Sequence, residues 1–203
     1  RGKPIVNVLP FEGDETLAMV LAVDEFTEGK NLFFATQNGR VKKTDLMAYS
    51  NVRSSGIIAI NLNDDDHLIS VRETTGESDV ILATENGMAI RFNESNVRTM
   101  GRTAAGVRGI DLADSDKVVG CITFDRNETD GDEVSLLTVT TNGYGKRTVL
   151  DGYLRGGNTQ SRGGKGLIDI QTDDRNGVVV GVVKVESETD EYLLVTDAVS
   201  YTH

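Results

Sequence analysis

An internal repeat constrains this chain more than any other feature. Three segments share one core: Leu32-Phe33-Phe34-Ala35-Thr36-Gln37-Asn38-Gly39, Val80-Ile81-Leu82-Ala83-Thr84-Glu85-Asn86-Gly87 and Leu136-Leu137-Thr138-Val139-Thr140-Thr141-Asn142-Gly143. Their Asn-Gly pairs lie 48 and 56 residues apart. A shortened fourth copy stands at Tyr192–Ala198. Asn-Gly between apolar runs is a strong hairpin signal, because both residues tolerate the positive φ of a type I′ turn.

A second landmark recurs out of phase with the first. Gly56–Leu62, Gly106–Leu112 and Gly166–Ile170 each read as a glycine followed by a strand, and the opening Gly2–Val8 has the same form. An acidic turn follows each: Gly13-Asp14-Glu15, Asp64-Asp65-Asp66, Asp114-Ser115-Asp116 and Asp173-Asp174. Further apolar strands are predicted at Leu17–Val23, Leu68–Val71, Val118–Ile122 and Val178–Val183. Each unit thus holds about four short strands, and no stretch sustains a 3.6-residue apolar period. Units of this kind every 40–60 residues are the pattern of propeller-like blades. The rungs of a β-solenoid are shorter, and a sandwich would not explain the fixed order of landmarks. The expected fold is all-β, with about four blades of a larger ring. The approximate repeats are 1–53, 54–103, 104–163 and 164–203.

Net charge is a poor guide until it is resolved along the chain. Its value of −11, from 21 Lys and Arg against 32 Asp and Glu, argues alone against a phosphate-rich partner. The cations are not scattered, however. The fourth residue beyond each turn glycine is basic: Lys43, Arg91 and Arg147. Lys42, Lys146 and Arg40 lie beside them, and Arg53, Arg98, Arg102, Arg108, Arg155, Arg162 and Lys165 follow before the next landmark. Segments 38–56, 86–109 and 142–166 hold 13 of the 21 cations and only 3 of the 32 acids. They carry a net +10 and leave −21 for the remainder. In a ring of blades equivalent segments fall on one rim, with the acidic turns elsewhere. Such a basic stripe can hold a polyanion through many phosphate contacts while reading little sequence.

Several strings in these segments resemble one family. Asn142-Gly143-Tyr144-Gly145-Lys146-Arg147-Thr148, Val97–Arg102 running into Gly106–Ile110, and the opening Arg1–Pro10 are similar to the C-terminal domain of DNA gyrase A. The likeness covers essentially the whole chain. It implies a β-pinwheel, a propeller variant whose blades exchange strands, with a basic rim that wraps duplex DNA. It also implies partners, namely the rest of gyrase A and its companion gyrase B in a heterotetramer. ATP, magnesium and the DNA-cleaving tyrosine belong to other domains or subunits, so this chain would carry no cofactor and no activity of its own. Gln160-Ser161-Arg162-Gly163-Gly164-Lys165-Gly166 resembles the family's basic glycine-rich box, with Ser161 at an arginine position. The family's box proper lies in an earlier blade, so this is a box-like copy. Its glycines let main-chain N–H groups approach a phosphate, beside the charges of Arg162 and Lys165. Gly163 and Gly164 suit a plain inter-blade loop equally well. After Thr196-Asp197-Ala198 the family's glycine and basic strand are replaced by Val199–His203, as expected of a truncated copy.

No catalytic or metal-binding constellation emerges from the sequence. The two histidines, His67 and His203, stand apart, and Cys121 lies in an apolar run. Residues 125–132 fail as a calcium loop, with Asp130 where glycine is required and Leu136 where glutamate is. Gly163-Gly164-Lys165 lacks the remaining residues of a P-loop. A single cysteine fits a reducing cytoplasm, and the resemblance implies a place beside the nucleoid. No apolar run approaches the ~18 residues of a membrane span, and the first residues are not a signal peptide. Three alternatives to gyrase-type wrapping stay open. They are a propeller recognising an acidic protein, the equivalent domain of topoisomerase IV, and a propeller enzyme with a central site.

Overall fold

The computed structural model describes residues 2, 15–125, 134–195 and 201–202. Thirteen strands occur among them: β1 Asn31–Thr36, β2 Arg40–Asp45, β3 Leu68–Thr74, β4 Asp79–Thr84, β5 Met88–Asn93, β6 Val107–Arg108, β7 Val118–Phe124, β8 Ser135–Thr140, β9 Gly145–Val149, β10 Leu167–Ile168, β11 Val179–Val185, β12 Leu194–Val195 and β13 Tyr201–Thr202. They form sheets in the orders β3-β1-β2-β6, β10-β5-β4-β7, β11-β8-β9 and β12-β13. Every ladder is antiparallel.

Strand exchange defines the architecture. β6 comes after the second hairpin in sequence yet pairs with β2 of the first, through Arg40↔Arg108 and Val41↔Val107. β10 pairs with β5 in the same way, through Leu167↔Ala89 and Ile168↔Met88. The landmark glycines make this crossing possible. Gly106 and Gly166 have φ of +87° and +80°, and a Cβ there would stand 2.4 Å from the Val41 oxygen and 2.3 Å from the Ala89 oxygen. Only glycine satisfies both demands, a left-handed backbone and a neighbouring main chain at contact distance.

The sheets stack through apolar faces, and the middle one is buried on both sides. Leu82, Ile90 and Phe92 pack with Phe33, Val41 and Ile110 of the first sheet and its exchanged segment. Ile81 and Ala89 face Leu136, Leu150 and Tyr153 of the third. β4 is therefore buried along its whole length, which is why its centre is continuously apolar rather than alternating. Glu94 stitches the first blade to the second. Its carboxylate is fully buried and accepts from Thr74 Oγ1 (2.7 Å), Gly76 N (2.9 Å) and Ser78 N (2.8 Å).

Three expectations need correction. The hairpin turns are not type I′, because only the glycine of each Asn-Gly pair has positive φ. Gly39 N donates to Thr36 O at 3.0 Å, closing a type I turn that ends on a left-handed glycine, and Gly87 and Gly143 repeat it. Second, Leu17–Val23 and Gly56–Leu62 form no strand. Their counterparts β3, β7, β6 and β10 all pair with a hairpin; these two segments instead pack side chains against the first hairpin, Met19, Val23, Ile57, Ala59 and Ile60 lying on the cluster of Leu32, Phe34 and Tyr49. Third, the exchanged strands are two residues long, since the backbone beyond them turns into the hairpin tip. Gly109 N donates to Gly39 O, and Asp169 N to Gly87 O, both at 2.8 Å. Arg1, residues 3–14 and 126–133, Thr196–Ser200 and His203, with the expectations that fall on them, lie outside the described residues.

The acidic turns cap the hairpins. Asp66 Oδ1 accepts from Asn38 N at 2.9 Å, and Asp116 Oδ1 from Asn86 N at 3.0 Å. At the third hairpin the asparagine side chain donates instead of the main chain, from Asn142 Nδ2 to Asp174 O and Arg175 O. Cys121 is buried, and burial pushes its thiol up to about 12, so it acts as a small hydrophobe.

Candidate nucleic-acid interface

The basic segments fall into two populations, one inside the blades and one along a row of loops. The interior group corrects the expectation that all thirteen cations face outward. Lys42 is wholly buried and lies 4.9 Å from the centroid of the Phe34 ring. Its Nζ donates to Ala59 O at 2.6 Å and also to Arg102 O. Burial, reinforced by the Arg102 charge, lowers its pKa to about 8. Lys43 is buried and donates to Glu94 O at 3.1 Å. Arg91 is buried against Asp79 (2.8 Å) and Asp151 (3.1 Å). It also donates to Leu150 O at 2.8 Å and stacks 4.9 Å over Phe124. Each of these cations is desolvated and satisfied by the protein itself, which removes it from contact with an external phosphate.

Repeat position alone does not decide this. Arg147 is equivalent to Arg91 but exposed, donating to Ser135 Oγ (2.6 Å) and pairing with Glu188 (2.8 Å). Lys146 is equivalent to Lys42 and is also exposed, although its Nζ donates to Asp169 O at 2.6 Å. Ala59 and Asp169 both stand three residues beyond a landmark glycine, so these two lysines clamp equivalent carbonyls. Two tyrosines use the same residues, Tyr49 donating to Ala59 O (2.9 Å) and Tyr153 to Asp169 Oδ1 (2.6 Å). Burial, then the Asp169 carboxylate, raises the Tyr153 pKa.

Apart from Arg40 on β2 and Lys146 and Arg147 on β9, the remaining cations lie on three segments that adjoin one another, at 52–60, 95–109 and 155–168. Arg102 Nη1 donates to Ile58 O at 3.0 Å, joining the second loop to the first. Arg162 joins the third to the second, through Nη1 to Arg108 O (3.1 Å) and Nε to Asn96 O (2.9 Å). Main-chain bonds from Gly163 N to Gly109 O (2.6 Å) and from Asp111 N to Gly164 O (2.9 Å) complete that junction. Arg53, Arg98, Arg108, Arg155 and Lys165 are exposed along this row, and Arg40, Arg102 and Arg162 are half-buried. Arg40 donates to Ala105 O (3.2 Å) and Gly106 O (2.6 Å), steadying the exchanged strand rather than standing free.

The box-like loop is built into this row. Gln160 N donates to Arg91 O at 2.9 Å, as Met100 N does to Lys43 O at 2.8 Å, so both loops run along the outer strand of the preceding hairpin. Gly163 and Gly166 take φ of +80°, whereas the Gly164 backbone is engaged with Asp111. The row is not purely basic. Lys165 borders a cleft of about 430 Å³ together with Asp111, Asp114 and Asp116, and Arg108 pairs with Asp111 at 3.1 Å. One acidic turn thus reaches the basic band, contrary to the expected full segregation.

Stacked antiparallel sheets, two of which borrow an outer strand from the next repeat, define a β-pinwheel, a propeller-like fold here with a row of basic residues along its connecting loops. The family described as DNA gyrase C-terminal domain, beta-propeller, matches residues 30–75, 78–125 and 135–186. The chain belongs to that family. It is 50% identical over 198 residues to the DNA gyrase A protein of Salmonella typhimurium, covering 98% of this chain and 21% of that protein. The chain therefore spans about a fifth of the length of such curated relatives. Among solved structures, a DNA gyrase A C-terminal domain matches with a TM-score of 0.79 at 27% identity, over 95% of this chain and 61% of the other. The C-terminal domain of DNA topoisomerase IV matches with a TM-score of 0.73, also at 27% identity, over 92% of this chain and 71% of the other. Among the described residues no group of three or more His, Cys, Asp or Glu could hold a metal, and no helix is long and apolar enough to cross a membrane.

Proposed function

We propose that this domain binds duplex DNA without sequence preference and wraps it along the row of rim loops. In this reading it is an accessory module of gyrase, joined to the rest of gyrase A and working with gyrase B, and the wrap steers strand passage toward negative supercoiling. The observation that carries the reading is the continuity of the row. Cations from successive repeats stand on loops hydrogen-bonded to one another, so a polyanion following one loop is delivered to the next. Identity of 50% to a gyrase A protein over 98% of this chain, with a TM-score of 0.79 to a gyrase A domain against 0.73 to the topoisomerase IV domain, favours gyrase over its relative.

The residues proposed to meet phosphate are Arg98, Arg108, Arg155 and Lys165, with Arg53 at one end of the row, while Arg102 and Arg162 are held by carbonyls of the neighbouring loop. Lys146 and Arg147 extend it on the third hairpin. If about six phosphates are neutralised, log K falls with log salt at a slope near −5. The test is fluorescence titration of a labelled duplex from 50 to 300 mM salt. Steep salt dependence that is equal for unrelated sequences supports the reading. Salt-insensitive binding, or binding only to an acidic protein, overturns it.

A further inference from the structure

Arg102 and Arg162 occupy the same place in their repeats, four residues before a landmark glycine, and they make the same contact. Each sends Nη1 back one repeat, to the carbonyl two residues beyond the preceding landmark glycine: Ile58 O at 3.0 Å and Arg108 O at 3.1 Å. Arg162 adds a second bond, from Nε to Asn96 O at 2.9 Å. Both side chains are half-buried, and one edge of each guanidinium grips the neighbouring loop. A guanidinium presents five donors in a rigid plane, and fixing one edge on a carbonyl fixes the direction of the rest. Among the described residues, no other hydrogen bond from one rim loop to the preceding one recurs in the same register at both junctions.

We infer that Arg102 and Arg162 are spacing residues for the wrap: each sets the step between one rim loop and the next, and so the path that DNA takes across the repeats. The inference rests on the wrapping function proposed above. It separates two properties that a simple phosphate contact would tie together. Affinity for a short duplex depends on charge within one or two loops. The turn imposed on a long duplex depends on the relative placement of successive loops, where a small displacement at each junction adds to the next.

Lysine substitution distinguishes the two roles, since it keeps the charge but loses the planar fork. In the Arg102→Lys, Arg162→Lys double variant, affinity for a duplex of about 15 base pairs should stay within about twofold, because the exposed cations proposed to meet phosphate are untouched and the net charge is kept. The linking-number change of a relaxed plasmid religated with saturating protein should fall by about half or more, since it depends on the fixed placement that the fork provides. Hydrogen exchange supplies a readout that needs no DNA: the Gly163 and Asp111 amides should exchange faster, with β4 and β8 unchanged. A full linking-number change in the double variant, losses of affinity and linking number in equal proportion, or unaltered exchange at Gly163 and Asp111 would each overturn the spacing role. Wild-type protein that fails to bind duplex defeats the functional reading itself, and that result is distinguishable because the exchange measurement is independent of it.

Discussion

The two junctions between rim loops place equivalent segments alike but hold them with different chemistry. At the first, the described contacts between the Ile58–Ala59 segment and Arg102 run through side chains: Lys42 bridges Ala59 O and Arg102 O, and Arg102 reaches Ile58 O. At the second, Ile90 stands where Lys42 would be. There Arg162 is joined by two main-chain bonds, Gly163 to Gly109 and Asp111 to Gly164. Geometry is therefore retained from repeat to repeat while the groups that secure it change. A buried ammonium between two carbonyls and a pair of backbone bonds are interchangeable solutions. They differ in one respect, because only the ammonium titrates.

The sharpest way to test this contrast is at the cations four residues beyond the turn glycines. Arg91→Met removes the guanidinium charge from the fully buried Asp79 and should cost about 3–5 kcal/mol. Arg147→Met, at the equivalent but exposed position, should cost about 0–1 kcal/mol. Urea denaturation of both variants measures the difference. Equal losses would show that burial is not what separates them.

The landmark glycines come next. Gly166→Ala meets the Ala89 carbonyl at 2.3 Å, whereas Gly143→Ala, with a similar φ of +80°, meets nothing within 4 Å. The second should cost about 1 kcal/mol for the left-handed backbone alone, and the first at least about 2 kcal/mol more, because a packed main chain must shift. Thermal unfolding of the pair checks this. A Gly166→Ala variant no worse than Gly143→Ala would remove the argument that strand exchange demands glycine there.

A smaller effect follows from Lys42. With its folded pKa near 8 and an unfolded value near 10.5, the unfolded chain holds more protons between those limits. Stability should therefore rise with pH across that window relative to Lys42→Met, and the two profiles should run parallel below about pH 7. Parallel profiles throughout would place the Lys42 pKa in the ordinary range. The smallest stability change is expected at Lys165→Ala, within about 0.5 kcal/mol for an exposed side chain. Its signature lies in binding, where the salt slope should fall by about 1. An unchanged slope would remove Lys165 from the interface.

How much of this was legible in the sequence depends on how local each determinant is. The hairpins were, because Asn-Gly and the apolar runs on either side act within about eight residues. Gly106 and Gly166 were visible as landmarks, although their reason was not: the carbonyls they accommodate belong to Val41 and Ala89, 65 and 77 positions earlier. Arg102 and Arg162 were read as charges, when their fixed distance before each glycine was already a sign of a shared structural contact.

By itself the sequence determined the repeat, the positions of the turns and the concentration of +10 in three segments, since turn chemistry and charge are properties of the residues themselves. Tertiary structure alone decided which of those charges face outward. Lys42 and Lys146 follow a turn glycine at the same interval, yet one is buried beneath loops contributed by Ala59 and Arg102 while the other is exposed. Whether a cation is desolvated depends on chain segments that arrive from elsewhere, here from the next repeat.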